Sequence, residues 1–179
     1  MIIASKLIPS GAGLAPVLVR RAATIELDWD TRQKSRFDTV DSHGRSIGIF
    51  LPRGNVVRGG DILVAEDGSL IAVKAKPQQL LVVTPCDHGS PLDLLRAAYH
   101  LGNRHVPLEV NATHLQLEPD HVLAEMLRRM GLHVDDAEAP FEPEAGAYDA
   151  ARAASSQDHA PAHSHSHGQS HDHDGDPHS

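Results

Sequence analysis

Leu80-Leu81-Val82-Val83, Ser90-Pro91-Leu92-Asp93, Val106-Pro107-Leu108-Glu109-Val110 and Leu115-Gln116-Leu117, followed as far as Phe141, decide the fold. The first is a short unbroken apolar run, the pattern of a strand buried on both faces. Ser90-Pro91 supplies a helix N-cap with proline at the first helical position, and Asp93 stands in the first turn. Leu92, Leu95, Ala98 and Tyr99 fall on one face of that helix and Gly102 ends it. Val106, Leu108 and Val110 alternate as a strand, with Leu115 and Leu117 as its partner. Pro119 opens a second helix with apolar positions Val122, Leu123, Met126, Leu127 and Met130, closed by Gly131. His133-Val134 begins a last extended piece. The order β-α-β-β-α-β is the split βαβ arrangement of a ferredoxin-like sandwich.

Upstream, residues 24–76 read as all-β. Ile25, Leu27 and Trp29 alternate with Glu26, Asp28 and Asp30 as a half-buried strand. Phe37 and Val40 form a second strand, running into the turn Asp41-Ser42-His43-Gly44, and Ile47, Ile49 and Phe50 a third. Asp67-Gly68 suits a tight hairpin between Ile62–Val64 and Leu70–Val73. This is a small sheet with a thin core. Met1 to Val19 is apolar but broken by Pro9, Ser10, Gly11, Gly13 and Pro16, and its basic pair Arg20-Arg21 follows the apolar stretch. A secretion signal has the opposite order. No run reaches the length of a membrane helix, so the chain reads as soluble and cytosolic.

The expected class is α+β: a β-rich domain over 1–77, a ferredoxin-like domain over 78–148 and a disordered tail over 149–179. The tail holds His159, His163, His165, His167, His171, His173 and His178, half of the chain's 14 histidines, among Ser, Gly and Asp. Imidazole is the commonest ligand for borderline metals, and His-x-His spacing lets neighbouring rings reach one ion. An unbroken run would be expected of a purification tag, and a purely solubilising tail favours Glu, Lys and Ser. The segment therefore reads as metal-collecting. With 24 acidic against 16 basic residues, sequence-independent nucleic-acid binding is disfavoured. The single cysteine, Cys86, excludes an intrachain disulfide and a Cys-based zinc module.

Three strings are more specific: Tyr99-His100-Leu101-Gly102-Asn103-Arg104-His105-Val106-Pro107-Leu108, Asp120-His121-Val122-Leu123, and Pro140-Phe141-Glu142-Pro143-Glu144-Ala145-Gly146-Ala147-Tyr148. Together they resemble the UreE family of urease accessory proteins, over about residues 20–148. The resemblance implies a cytoplasmic nickel metallochaperone with no catalysis of its own. It also implies a β-rich peptide-binding domain, a ferredoxin-like metal-binding and dimerisation domain, and often a His-rich tail. His105 becomes the principal metal ligand, supplied by each subunit of a homodimer at the two-fold axis. The implied partners are the urease GTPase UreG and the apo-urease–accessory protein complex. Some members carry a histidine where this chain has Pro119, which leaves His121 without a His-x-His mate.

On chemistry alone His105 is equally an ordinary loop histidine, and His121 an exposed helix-start residue. His100 lies five residues before His105 and either reaches the same region or faces the helix dipole. His43, His114 and His133 read as turn or solvated residues, and Cys86-Asp87-His88 as an inert loop. No phosphate loop, zinc-protease motif or nucleophile elbow occurs. The cargo implied is Ni(II), with Zn(II) or Cu(II) as competitors in vitro, since affinity order alone places Cu(II) above Ni(II). Two rival functions stand beside the chaperone. One is a general histidine-rich metal buffer or storage protein for nickel or zinc, resting on the tail. The other is a metal-dependent hydrolase using His105 and His121 with a bound water.

Overall fold

In the computed structural model, which describes residues 1–146, ten strands form two sheets. The first comprises β1 (Ile2–Ile8), β2 (Ala23–Leu27), β3 (Arg36–Val40), β4 (Ser46–Phe50), β5 (Ile62–Ala65) and β6 (Leu70–Ala75), in the order β2-β6-β5-β1-β4-β3. The strand pattern expected from β3, β4 and the β5–β6 hairpin is present, with Gly68 at φ 82° in the turn. The stretch read as an interrupted apolar N-terminus is instead central. β1 runs parallel to β4 and antiparallel to β5, in registers such as Ile2↔Ile47 and Ile8↔Ile62. Its insertion gives the sheet a deeper core than expected, in which Ala4, Ile25, Ile47, Ile49, Leu63, Ile71 and Val73 are all buried. Pro16–Arg21 forms a short helix, α1.

Trp29 does not continue strand β2. It opens α2 (Trp29–Arg32), because the Asp28 carboxylate accepts the Thr31 N–H at 2.9 Å and caps a helical turn. The local carboxylate–amide bond overrides the alternating pattern.

The second sheet contains β7 (Gln78–Pro85), β8 (Glu109–Val110), β9 (Leu115–Leu117) and β10 (Leu132–Ala139), with α3 (Pro91–Gly102) and α4 (His121–Arg129) as its helices. The strands are antiparallel in the order β10-β7-β9-β8, the ferredoxin-like topology that the sequence predicts. Leu81, Val83, Leu115, Leu117 and Val134 meet Leu94, Ala97, Leu101, Ala124 and Leu127 in one core. Leu80 points to the opposite face and packs with Trp29 and Phe141.

Three details differ from expectation. The buried stripe of α3 is Leu94, Ala97 and Leu101, whereas Leu92, Leu95 and Tyr99 are 50%, 65% and 67% exposed. Two apolar stripes overlap on this helix, and the intramolecular core takes the one with the smaller residues. Only Glu109–Val110 of the 106–110 segment pairs as strand, since Pro107 has no N–H to donate. Finally α4 starts at His121, capped by Asp120, whose carboxylate accepts the Val122 and Leu123 N–H groups at 2.8 and 2.9 Å.

Both sheets lie within one compact unit, Met1–Glu144. Arg32 is fully buried and donates to the Glu142 carboxylate at 2.5 Å and to the Phe141 carbonyl. Arg58 donates to the Pro143 carbonyl at 2.5 Å, and the Gly59 N–H donates to Glu142 at 2.7 Å. Both guanidiniums lie over the Trp29 ring, Arg32 at 5.2 Å and Arg58 at 4.9 Å from its centre, and the ring meets Phe141 edge-on at 6.1 Å. Burial lowers the Arg32 pKa, and the Glu142 carboxylate opposes that shift. The string Pro140-Phe141-Glu142-Pro143 thus fastens the second sheet to the first.

Candidate metal site

The chain leaves α3 through a tight reversal. The His105 N–H donates to the Gly102 carbonyl at 2.9 Å and the Val106 N–H to the Leu101 carbonyl at 3.2 Å. These are the two bonds of a Schellman motif, whose left-handed residue is usually glycine. Here that residue is His105, at φ 56°. The companion helix α4 makes the ordinary choice, with Gly131 at φ 82° just beyond its end. A side chain in the left-handed region costs roughly 1–2 kcal/mol. The cost is borne at a position where the imidazole is exposed and packs into no core. A strained residue of this kind points to a role for its side chain.

His105 opens onto a cleft of about 360 Å³ lined also by Trp29, Gly102, Val106, Pro107, Leu108, Val110, Pro143 and Glu144. The Glu144 N–H donates to the Leu108 carbonyl at 2.8 Å, which fixes the two walls against each other. His121 lines a different cleft of about 290 Å³, beside Asp120, Arg128 and Asp136. The two clefts share no residue, so neither of them offers the hydrolase arrangement, with both histidines on one ion. His100 is exposed in the last turn of α3, its ring edge-on to Tyr99 at 5.4 Å, and does not line the His105 cleft.

The remaining histidines of the described residues have simpler settings. Both ring nitrogens of His114 are engaged, with the Thr113 hydroxyl at 3.1 Å and the Gln116 amide at 3.2 Å. His43, His88 and His133 are exposed. Among the described residues no three His, Cys, Asp or Glu side chains converge as a metal cage. His159, His163, His165, His167, His171, His173 and His178 lie outside the described residues. No helix among the described residues is long and apolar enough to cross a membrane.

Residues 4–76 match the family model of the UreE urease accessory protein N-terminal domain, and residues 78–173 that of its C-terminal domain. The chain belongs to the UreE family of urease accessory proteins. A urease accessory protein UreE of Methylibium petroleiphilum is 69% identical over 154 residues, covering 86% of this chain and 71% of the relative. One of Polaromonas sp. is 66% identical over 160 residues, covering 89% and 73%. One of Albidiferax ferrireducens is 63% identical over 164 residues, covering 91% and 94%. The UreE assignment makes this chain an accessory protein of urease maturation and not an enzyme.

Sequence reasoning singled out His105 in this UreE-family chain but missed Trp29 and Glu144, which share its cleft. Trp29 was hidden by its fit to a strand pattern. Glu144 stood in a quoted string and carried no ligand signal of its own.

Proposed function

We propose that this UreE-family protein is a cytoplasmic nickel metallochaperone that acts as a homodimer. It collects Ni(II) on the His-rich tail and on His105, and yields it by ligand exchange to the urease GTPase UreG bound to the apo-urease complex. The observation that carries this reading is His105, held in a strained backbone position at an open cleft. One imidazole holds a transition metal weakly, whereas a symmetric pair with added ligands holds it well. The exposed stripe Leu92, Leu95 and Tyr99 runs along α3, the helix that leads into the turn at His105, and suits a two-fold contact. The functional division of the chain, with a β-rich domain over 1–77, a metal-binding and dimerisation domain over 78–148 and a tail beyond, belongs to the same reading. His121 and His100 act as accessory ligands during transfer. Zn(II) and Cu(II) would compete in vitro.

Titration calorimetry with Ni(II), on the full chain and on a form ending at Tyr148, tests this. Truncation should remove most bound equivalents and leave one site per dimer, which His105→Ala then abolishes while His121→Ala does not. Cells lacking the protein should lose urease activity and regain it with added nickel. A truncated His105→Ala variant that binds nickel as tightly as its parent would overturn the interface site. Unchanged urease activity without the protein would favour a general metal buffer.

A further inference from the structure

Of the nine residues lining the His105 cleft, only His105 and Glu144 carry groups able to ligate a metal; the others are apolar, glycine or tryptophan. Three glutamates gather at this corner, and two are consumed. Glu109 accepts the Glu142 N–H at 2.6 Å and the Asn111 amide at 3.3 Å. Glu142 receives Arg32, Arg58 and Gly59. The nearby Arg58 guanidinium is itself turned onto the Pro143 carbonyl and Glu142. Glu144 differs from the other two. Its backbone is pinned to Leu108 at 2.8 Å, while its exposed carboxylate makes no hydrogen bond or ion pair with any described residue.

We propose that Glu144 supplies a carboxylate oxygen to the metal ion held by His105. The assignment rests on His105 being a ligand, and extends it to the class of donor set: imidazole nitrogen plus carboxylate oxygen. Such a set suits a borderline divalent ion and offsets part of its charge in a cleft with mostly apolar walls. The pinned backbone holds the carboxylate beside the cleft, and its free side chain leaves the ligand exchangeable, as a site that gives up its ion requires.

Trp29, the only tryptophan of the chain, lines the same cleft and gives a local reporter in the full-length protein. Ni(II) is paramagnetic and should quench its fluorescence when bound there. Parent, His105→Ala, Glu144→Gln and Glu144→Asp are titrated with Ni(II), with circular dichroism on each. His105→Ala should lose the saturable quench. Glu144→Gln should need at least about tenfold more Ni(II) to reach its midpoint, the scale of a lost ligand or its immediate support. Glu144→Asp, which keeps the carboxylate, should fall between Gln and parent. All should unfold with the parent, since neither side chain is part of a core. If Glu144→Gln titrates like the parent while His105→Ala has lost its quench, the glutamate assignment is wrong and the histidine reading stands. If His105→Ala also titrates like the parent, both fall.

Discussion

Replacing His105 by glycine should make the protein more stable, although it removes the residue argued to hold the metal. The left-handed backbone at φ 56° costs a side-chain-bearing residue roughly 1–2 kcal/mol. Glycine escapes that cost, but its unfolded chain is freer by about 0.5–1 kcal/mol. The imidazole is exposed, so little packing is lost. The net gain is about 0.5–1 kcal/mol. For a chain of this size 1 kcal/mol moves Tm by roughly 2–4 °C, so His105→Gly should melt about 1–4 °C above its parent. His105→Ala keeps the strain and should melt with the parent. The assay is thermal unfolding followed by circular dichroism in EDTA, because a bound ion would stabilise the parent alone. Should glycine prove no more stable than alanine, no strain is stored at this turn, and the argument from strain to function fails.

Three further outcomes follow from the same geometry. Glu142→Ala leaves the buried Arg32 guanidinium without its carboxylate and should cost about 3 kcal/mol, read from urea unfolding. Asp28→Ala removes the cap of α2 and should cost about 1 kcal/mol at neutral pH. Hydrogen bonds from Thr31 hold the Asp28 carboxyl below its ordinary value of 3.8, so this contribution is present above that value. It is lost as pH falls through the lowered folded pKa, and parent and variant should converge in acid. Leu95→Glu places a charge on the exposed stripe of α3 and, if the proposed homodimer forms there, should turn it into a folded monomer by sedimentation, with Tm changed little at a concentration where the parent is also dissociated.

The ferredoxin-like half was legible because its signals are local: the Ser90-Pro91-Asp93 capping box, the doubly buried run at Leu80–Val83 and the glycine after α4. The core face of α3 was not. Leu92, Leu95 and Tyr99 make as good a helical stripe as Leu94, Ala97 and Leu101, and periodicity alone cannot tell which of two apolar faces enters the core. The reversal at His105 was missed for a related reason. Gly102 looked like the cap, but it is still helical, and the left-handed position falls three residues later on a residue that ordinarily avoids it. Arg32 carried no local signal of its burial, because its partner lies 110 residues away. Long-range pairing also concealed β1, whose glycine- and proline-rich continuation masked a strand that finds its neighbours only at Ile47–Ile49 and Ile62–Ala65.

That placement of β1 has a kinetic consequence. The hairpin of β5 and β6 can close across the Asp67-Gly68 turn within microseconds, since it needs no distant residue. β1 must instead thread between β4 and β5, and its ladder with β5 spans more than fifty positions of chain, as in Ile8↔Ile62. Loop closure of that length precedes any reward from pairing, which is the circumstance that slows folding. Until β1 arrives, the facing edges of β4 and β5 stay open for pairing with another chain, so the interval before its insertion is when this protein is most exposed to aggregation. Pulse-labelled hydrogen exchange should find the amides of Lys6 and Ile8 protected after those of Leu63 and Ala65, which face β6; the reverse order would show that the central strand is laid down first.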